Sequence, residues 1–595
     1  MGGVSEVVLN FATSGLDWAR GDKPIGLTVG SMDGLLVRFL PFAFAGGGNL
    51  DEGVVREWAR RELRGKKILN AKTKFDLHMA RVWGVDLAEQ GCTFSDVQQT
   101  AALLDDHRKR FAIDMLAVDY FPDELIVPRL DESRHSEYHA SEVAERERYT
   151  VQLVRRLRDV MDPEVDRQEL RAVQDLEDRV IPAVVEMERN GALIDVELLE
   201  QYYTECARRH DQLLFEIARE VGFMFDHSNK SWQRLFEAVG LPPTDSVAEE
   251  IITAIDHPLV KKGHLAAQLA SLNSKTFQAY RKLVGSDGVL RFDLNQLRNE
   301  QGGTVTGRFS AGCIQQVPNS GNHTAVFGED LFPRRLYIPA KGHRYLAADA
   351  AQIQYRIFAH YASNPQVLAA YADDPKANFH RLIMAKLQPY RSDLSYGAVK
   401  TMNFMRIFGG GLVKLAVSMG FITAAVGEEI RQMKTQRTDP RLARAREVEA
   451  IYDREMPEVG LLLKRASHLA MTKCSSYCRP GDALHRQFPH RGYVKTILGR
   501  RSRFPDDYRL HKAFCMIDQG SEGDIVKTKI AQLHEVRKET GFLMRMTVHD
   551  EVTGDAMAPD TMQKVDAILN EQSFPQLKVP ILWECRGGAN WAECK

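Results

Sequence analysis

The chain has 595 residues, of which 44% are hydrophobic and 27% charged, a composition typical of a globular protein with several domains. A formal net charge of -1 argues against a protein that coats nucleic acid by bulk charge, although it is compatible with a local basic groove. Eight cysteines spread over this length do not form a disulfide framework, which indicates a reducing compartment. No apolar run is long enough to cross a membrane and no signal peptide is evident, so we expect a cytoplasmic protein without membrane contact.

The first 120 or so residues alternate strand-like and helical patterns, which predicts an α/β domain. The expected strands are 6–11, 25–29 and 35–40, and the expected helices are 52–63 and 75–82. Residues from about 150 to 285 carry apolar side chains at helical spacing instead. The expected helices are 149–161, 168–190, 196–221 and 265–283, with Asn190-Gly191 closing the second and Asp195 capping the third.

Beyond about residue 285 the pattern is mixed, and two strand-like runs end in carboxylates. Residues 542–548 alternate in polarity and lead into His549-Asp550-Glu551, and residues 345–348 lead into Asp349. Adjacent acids at a strand end need a cation or another partner, and two strand-end aspartates from distant segments predict a two-metal site. A helical block from about 364 to 475 separates the two runs, which suggests a palm-like mixed sheet with a helical insertion.

Lys400, Phe404 and Phe408 recur every four residues, so a helix would present them as one stripe that ends at Gly409-Gly410-Gly411. An ammonium group and two rings on one face suit a nucleotide, since the amine can meet a triphosphate and the rings can stack on a base or sugar. The alternative is that both phenylalanines are core positions with a lysine that reaches past them to water.

A basic run without any acid covers residues 491–503 and includes Arg500 and Arg501. Gly492-Tyr493 and Gly499 interrupt it, as is typical of a loop or hairpin. Such a run suits phosphate contacts, with a solvated surface loop as the alternative.

Three segments together resemble the motifs of the DNA polymerase A family, the group of bacterial polymerase I and many phage replicases. Residues 349–356 (DAAQIQYR) resemble motif A, residues 400–409 (KTMNFMRIFG) resemble motif B, and residues 548–551 (VHDE) resemble motif C. Each segment alone is weak evidence, but their common order and spacing make the resemblance specific.

Further segments agree with this order. Thr306-Gly307-Arg308-Phe309-Ser310 resembles the family's T-G-R-[LF]-S segment, Gln315 falls at its template-contacting glutamine, and His380 falls at its histidine near the triphosphate. Gln519-Gly520-Ser521 resembles a segment that touches template and primer, while the basic run resembles part of the palm. Residues 187–191 resemble the start of the thumb.

The resemblance implies an α/β plus α+β fold: a ribonuclease H-like 3′-5′ exonuclease-like domain followed by a right-hand polymerase. The first domain would cover residues 1–160 and the polymerase residues 161–595. Within the polymerase, the thumb would cover about 165–290, the fingers about 364–475, and the palm about 291–363 and 476–595.

The resemblance also implies the chemistry of the site. Asp349 and Asp550 would hold two Mg²⁺ ions, for which Mn²⁺ can substitute, and the partners would be primer-template DNA and deoxynucleoside triphosphates. The remaining roles follow the family's motifs: Glu551 as auxiliary carboxylate, Lys400 and His380 at the triphosphate, Gln354, Phe404 and Phe408 around the nucleotide, and Arg308, Gln315, Gln519, His549, Arg500 and Arg501 on DNA. We expect a monomer, and no processivity factor or other replisome partner is indicated.

Some positions depart from the family's pattern. Gln354 stands where a glutamate normally crowds the ribose 2′ hydroxyl, and Tyr396 stands where an arginine normally precedes the motif B lysine by four residues. A phosphate contact would be lost at position 396, and Arg391 or Arg406 could supply it. These departures motivate an alternative function, a catalytically impaired DNA-binding or accessory protein derived from a polymerase. Retention of Asp349, Lys400 and Asp550 argues against it.

The exonuclease-like domain departs further. The family's first exonuclease motif is D-x-E, whereas this chain has Asn10 and Ala12, which cannot supply the charge that two metal ions require. Asp76 matches the aspartate of the second motif, but no clear Y-x-x-x-D third motif appears near Tyr149, where the available acids are Glu142 and Glu147. We therefore expect a folded but inactive exonuclease domain.

The leading hypothesis is a template-directed DNA polymerase without a 5′ nuclease, a layout that suits a phage replicase or a compact bacterial or organellar enzyme. For a phage protein the location would be the host cytoplasm. A single-subunit RNA polymerase shares the palm chemistry but would not carry Val548-His549-Asp550-Glu551 as its third motif.

Overall fold

A computed structural model describes residues 4–241, 247, 249–299, 302–318, 320–433, 438–471, 492–504 and 509–594. The chain divides into two compact units. The first contains Met1–Arg189, Leu294–Ser310 and Ala466–Val536, and the second contains Asn190–Asp293, Ala311–Arg465 and Arg537–Lys595. None of the described helices is long and apolar enough to cross a membrane.

The described strands form one sheet of five strands, one of four and two of two. In chain order they are β1 (Glu6–Thr13), β2 (Pro24–Ser31), β3 (Val37–Pro41), β4 (Lys67–Asn70), β5 (Thr93–Asp96), β6 (Ala192–Leu193), β7 (Val289–Leu290), β8 (Arg344–Ala350), β9 (Tyr493–Lys495), β10 (Arg501–Arg503), β11 (Phe542–Val548), β12 (Glu551–Ala556) and β13 (Trp583–Gly588).

The first unit is built on the five-stranded sheet, whose strand order is β3-β2-β1-β4-β5. β1 runs antiparallel to β2 and parallel to β4, which is the arrangement of a ribonuclease H-like sheet. Strand β2 is buried along its whole length because helices cover the sheet. The helices of this unit are Glu52–Glu62, Thr73–Val82, Val97–Leu104, Ile113–Tyr120, Ala140–Arg167, Arg171–Asn190 and Ala513–Glu535.

The helix predicted over 149–161 is longer than the apolar pattern indicated. It covers Ala140–Arg167 and begins with a capping box, in which His139 and Glu142 satisfy each other's backbone groups. A histidine is an unusual cap, so the start of the helix carried no recognisable sequence signal. The basic run forms the β9-β10 hairpin, which confirms that part of the prediction for residues 492–503, while Arg491 lies outside the described residues.

The second unit contains the four-stranded sheet, in the order β11-β12-β8-β13, with antiparallel neighbours throughout. Its inner strand β8 is buried from Tyr345 to Ala348 because it is paired on both edges. The helices of this unit are Val196–Val221, Asn229–Ala238, Glu249–Ala254, Pro258–Leu272, Gln278–Leu283, Ser320–Phe327, Ile353–Ala362, Pro365–Asp373, Phe379–Leu387, Tyr396–Ile407, Leu412–Ser418, Ala424–Arg431, Ala443–Glu455, Pro457–Met471, Arg537–Thr540 and Thr561–Asn570.

Several predicted helix boundaries are confirmed. Helix Val196–Val221 has the predicted bounds, and the Asp195 carboxylate accepts the Leu198 N–H at 3.0 Å. Gly191 has φ 52° just after Asn190, the left-handed conformation that ends a helix. The helix predicted over 265–283 instead begins at Pro258 and contains a turn of π-helix over Asn273–Phe277.

Candidate functional site

The carboxylates of the second unit meet at one end of the four-stranded sheet. In the antiparallel register, Asp349 of β8 lies opposite Glu551 of β12 on one side and opposite Glu584 of β13 on the other. Directly opposed like charges destabilise a sheet unless cations or other partners compensate them. This end of the sheet therefore favours positive charge.

Asp550 lies in the tight turn that joins β11 to β12. Val548 pairs with Glu551, which leaves His549 and Asp550 as the turn, and the Ala350 N–H donates to the Asp550 carbonyl oxygen at 3.1 Å. The turn thus places Asp550 beside the end of the Asp349 strand. His549 is exposed and has φ 57°, a backbone conformation that a non-glycine residue adopts at an energetic cost.

Glu551 is held differently from the two aspartates. Only 8% of the residue is exposed, and its carboxylate accepts the Trp591 indole N–H at 2.7 Å and an Arg334 guanidinium N–H at 3.2 Å. Burial raises the pKa of Glu551, and the two donors act in the opposite direction. Both carboxylate oxygens of Glu551 accept hydrogen bonds from protein groups. Glu551 is therefore less available than Asp349 to bind a cation.

Asp349 has the electrostatics of a cation ligand. Its side chain reaches solvent at the strand end, yet partial loss of hydration and the like charges of Glu551 and Glu584 raise the pKa of Asp349 to about 6. Carboxylate oxygens are the ligands that Mg²⁺ prefers, and it usually takes one or two of them together with water and substrate phosphates. Within the described ranges no cluster of three or more His, Cys, Asp or Glu side chains could hold a metal ion.

The predicted stripe lies on helix Tyr396–Ile407, which Phe408 and Gly409 end as expected. Lys400 is exposed, Phe404 is 53% exposed, and the Phe404 and Phe408 ring centroids are 4.5 Å apart. The opposite face is buried through Val399, Met402 and other apolar positions. Because Phe404 points away from the core, the stripe is available to a ligand, and the alternative of two core phenylalanines does not describe it.

His380 lies behind this helix and is buried. The Asn403 side-chain amide and His380 Nδ1 are hydrogen-bonded at 3.1 Å. Burial and the positive charge of Lys400 lower the pKa of His380 to about 4. At neutral pH His380 is therefore uncharged, whereas the exposed Lys400 ammonium is a positive charge nearby.

His380 should make stability depend on pH. Its pKa is lower in the folded chain than the ordinary value near 6.5, so the unfolded chain binds more protons between about pH 4 and 6.5, and stability falls as the pH is lowered through that window. We expect His380→Gln to lose about 2–3 kcal/mol less stability than the parent between pH 7 and pH 4, measured by denaturant unfolding. Equal losses in the two proteins would contradict this placement of the histidine.

The surroundings of Tyr396 show a cation that the sequence reasoning missed. The two arginines proposed as substitutes for a phosphate contact are already paired: Arg391 with Asp393 and Glu447, and Arg406 with Glu449 and Asp453. Those two predictions therefore fit the structure poorly. The exposed Arg381 guanidinium instead lies 5.9 Å from the centre of the Tyr396 ring. Arg381 and Tyr396 are about 15 residues apart in the sequence and lie on different helices, so their proximity gave no local sequence signal.

Other predicted nucleotide and DNA residues lie on the second unit's motifs. Gln354 is half-buried on helix Ile353–Ala362, and Gln352, which precedes that helix, has φ 53° and accepts the Phe379 N–H through its side chain at 3.2 Å. Gln315 is half-buried in the segment after Ala311. In the first unit, Gln519 is half-buried on helix Ala513–Glu535.

Arg308 belongs to the first unit, where it forms an ion pair with the buried Glu522 of helix Ala513–Glu535. The Arg308 side chain is 20% exposed. Gly307 has φ 78°, and a Cβ atom there would lie 2.6 Å from the Arg500 guanidinium, so glycine is needed beside Arg308. The family's T-G-R segment is thus held in one conformation by its packing.

Arg500 does not lie where a phosphate could reach it, which corrects its assignment as a DNA contact. Its side chain is 3% exposed and donates to Asp524 at 2.9 Å and to Glu177 at 2.6 Å. Lys527 binds the same Glu177 carboxylate, and burial lowers the pKa of Lys527 to about 8. The charge of this guanidinium is already compensated by two buried carboxylates, so it is not available to anions from solvent. Arg501 is also buried and lies 4.2 Å from the centre of the Tyr493 ring.

The exonuclease motifs come together around a cavity of about 350 Å³ in the first unit. Asn10 and Ala12 lie on β1, and the Phe11 N–H donates to the Asp76 carboxylate at 3.4 Å. The Asn10 side-chain amide donates to Glu147 at 2.8 Å, and Glu147 lines the same cavity as Asp76. Burial raises the pKa of both Asp76 and Glu147.

The choice between Glu142 and Glu147 was open in the sequence because the helix start was unknown. Glu142 caps that helix by accepting the His139 N–H at 2.7 Å. Two acids are therefore retained at the cavity, and two positions on β1 lack them.

A right-hand polymerase is the class of protein that has a palm sheet with paired strand-end aspartates and a helical block inserted between the strands that carry them. Residues 196–593 match the profile described as "DNA polymerase family A". The chain belongs to this family and is a DNA-directed DNA polymerase.

Known relatives agree with this assignment. "DNA polymerase DpoZ" of Salmonella phage PMBT28 is 27% identical over 99% of this chain and 97% of the relative, and "DNA polymerase I, thermostable" of Thermus filiformis is 25% identical over 73% of this chain and 50% of the relative. Among solved structures, "POL domain of Pol1 from M. smegmatis complex with DNA primer-template and dNTP" has a TM-score of 0.77 at 19% identity, covering 99% of this chain and 96% of that one. At that identity the solved structure supports the fold alone, and it confirms the predicted exonuclease-like and right-hand architecture.

Proposed function

We propose that the chain extends a DNA primer by template-directed addition of deoxynucleotides, with Asp349 and Asp550 as ligands of two Mg²⁺ ions. The observation that carries the proposal is the register of the palm sheet, which brings Asp349 next to the turn that holds Asp550. Asp349 and Asp550 would hold the ions, whose positive charge would assist attack by the primer 3′ hydroxyl and offset the negative charge of the triphosphate and pyrophosphate. Mn²⁺ can take the same oxygen ligands. Primer extension with Mg²⁺ tests the proposal, and an absence of extension would contradict it.

Lys400 and His380 would contact the triphosphate in different ways. Lys400 is exposed on helix Tyr396–Ile407, so its ammonium can pair with phosphate oxygens and donate a proton to the leaving pyrophosphate. His380 is buried and uncharged, so its ring N–H can donate a hydrogen bond without adding charge. The two residues thus recognise the same group by different means.

Three further residues shape the pocket for the nucleotide. Phe404 and Phe408 form a tilted ring pair at the end of the helix, where Phe408 would pack at the nascent base pair and Phe404 would line the sugar site. Gln354 would occupy the space beside the ribose 2′ carbon, because an amide is nearly as large as the carboxylate that the family normally has there. Exclusion of ribonucleotides would then rest on size and not on charge.

DNA contacts are proposed for the exposed or half-buried members of the predicted set. His549 is exposed at the β11-β12 turn and would lie near the primer terminus, while Gln315 and Gln519 would meet the template and primer strands. Arg308 keeps part of its guanidinium accessible while Glu522 fixes the rest, which suits a contact in the minor groove. We do not extend this proposal to Arg500, because its side chain is buried between carboxylates.

The exonuclease-like domain is proposed to be folded and inactive. Asn10 directs an amide at Glu147 where the family has a metal-binding aspartate, and Ala12 offers no oxygen. Removal of a 3′-labelled nucleotide from single-stranded DNA by the parent chain would contradict this proposal.

The sugar pocket gives a prediction with a simple readout. A tyrosine in place of Phe404 would place a hydroxyl near the sugar, and a position 53% exposed accepts the added oxygen without a buried unsatisfied group. By resemblance to family members that carry tyrosine there, we expect Phe404→Tyr to lower discrimination against dideoxynucleotides on the order of 10- to 200-fold. The measurement is the ratio of kcat/KM for a dideoxynucleotide and its deoxy counterpart, and an unchanged ratio would contradict the placement.

Arg381 gives a second prediction. We expect Arg381→Ala to raise KM for the nucleotide by about tenfold, because a charge-assisted contact to phosphate would be lost. Arg391→Ala is the matched comparison, since Arg391 is already held by Asp393 and Glu447 and should leave KM unchanged. The reverse pattern, with Arg391 controlling KM, would show that the lost phosphate contact is supplied as the sequence first suggested.

A further inference from the structure

The Glu551 carboxylate is held by two donors that contact each other. The Trp591 indole N–H donates to one oxygen at 2.7 Å, and Arg334 donates to the other at 3.2 Å. The Arg334 guanidinium also lies 3.9 Å from the centre of the Trp591 ring. The indole therefore contacts Arg334 through its ring face and Glu551 through its N–H group. An indole nitrogen can only donate, so the direction of its hydrogen bond is fixed.

Trp591 is itself fixed by the interior of the second unit. It is fully buried, its backbone N–H donates to the Tyr337 carbonyl oxygen at 3.0 Å, and its ring meets the Tyr337 ring edge-on at 5.0 Å. Tyr337 is hydrogen-bonded to Tyr280, whose hydroxyl donates to the Cys313 carbonyl oxygen at 3.2 Å. The indole therefore has little freedom to leave Glu551.

We propose that Trp591 and Arg334 are positioning residues for the polymerase reaction, acting through Glu551. This inference rests on the proposed function, in which Asp349 and Asp550 bind the metal ions. Glu551 lies directly opposite Asp349 in the sheet, where two carboxylates repel each other. The two donors compensate the charge of Glu551 and fix its orientation, so that Asp349 and Asp550 are the pair that faces the cations.

Replacement of Trp591 by phenylalanine removes the N–H donor and keeps an aromatic ring. Loss of an outer partner of a metal-binding site typically costs 10- to 100-fold in activity. We expect Trp591→Phe to lower kcat by about 10- to 100-fold and to leave the Kd for primer-template unchanged, because the DNA-binding residues are untouched. Trp583→Phe is the matched control, since Trp583 is a buried tryptophan of the same sheet whose indole nitrogen has no hydrogen-bond partner within the described part of the chain.

A spectroscopic readout separates this contact from general packing. The chain has six tryptophans, so selective ¹⁵N-tryptophan labelling gives at most six indole N–H signals. Trp591→Phe should remove one signal, and Glu551→Gln should shift that same signal and leave the Trp583 signal in place. This measurement does not depend on activity, so it stands even if the chain fails to extend a primer, which would contradict the proposed function alone.

Two results would overturn the inference: a kcat for Trp591→Phe equal to that of Trp583→Phe, or a Trp591 signal that does not respond to Glu551→Gln. Should Trp591→Phe fail to fold, the inference is tested with Arg334→Gln, whose kcat is compared with that of Trp583→Phe. The Arg334 side chain keeps some exposure, at 13%, and the substitution removes the positive charge that pairs with Glu551 and lies over the Trp591 ring. An unchanged kcat in a folded Arg334→Gln protein would then overturn the inference.

Discussion

Replacing Asp550 with alanine should abolish primer extension, with a loss of at least about 1000-fold in kcat/KM. The turn between β11 and β12 offers its carboxylate beside Asp349, and a metal ion stabilises transition-state charge by several kcal/mol. Removing one of the two aspartates would remove that stabilisation, whereas binding of primer-template should persist because most of the proposed DNA contacts lie elsewhere. The measurement is single-turnover extension of a labelled primer with Mg²⁺.

Asp373→Ala is the control for this experiment. Asp373 is an exposed aspartate at the end of helix Pro365–Asp373 in the same unit, and its loss should leave the rate unchanged. Undiminished extension by Asp550→Ala, or an equal loss in both variants, would contradict the assignment of Asp550 as a metal ligand.

The second large effect is a gain of activity. The double variant Asn10→Asp and Ala12→Glu should acquire metal-dependent 3′-5′ exonuclease activity at least about 100-fold above the parent. The structure retains Asp76 and Glu147 at the cavity beside β1, so two substitutions complete a set of four acids. The added charge repels Asp76 and Glu147, so stability without metal should fall while Mg²⁺ restores it.

The control for the gained activity adds Glu147→Gln to the double variant. If Glu147 is the third motif's acid, this triple variant should return to the background rate. A triple variant that carries Glu142→Gln instead of Glu147→Gln should keep the gained activity, because Glu142 caps its helix. A double variant that binds Mg²⁺ without cleaving a 3′-labelled strand would show that the domain lacks more than its two missing carboxylates.

The strands that carry the proposed polymerase site could be predicted from the sequence, because local pattern and family resemblance agree there. Asp349 and Asp550 each follow a strand-like run, and both runs are strands in the structure. Glu584 was not found, although β13 places it opposite Asp349, because residues 583–588 end in two glycines and carry little strand signal. Trp591 was also missed, because its contact with Glu551 joins residues 40 positions apart and gives no periodic pattern in the sequence.

The basic run shows why charge alone predicts binding poorly. Arg500 has the sequence context of a surface cation, with glycine and other basic residues around it. Its partners Glu177 and Asp524 are 323 and 24 residues away along the chain, so only the fold reveals that the charge is already compensated. The uncharged state of His380 likewise follows from burial, which sequence pattern does not report.

Template-directed synthesis at the Asp349 and Asp550 site is tested most directly by single-nucleotide incorporation. A labelled primer is annealed to four templates that differ only in the next base, and each complex is offered one deoxynucleotide at a time with Mg²⁺. The account predicts extension by the complementary nucleotide on each template, and none by Asp349→Ala or Asp550→Ala. Incorporation that ignores the template base, or that persists in both variants, would contradict it.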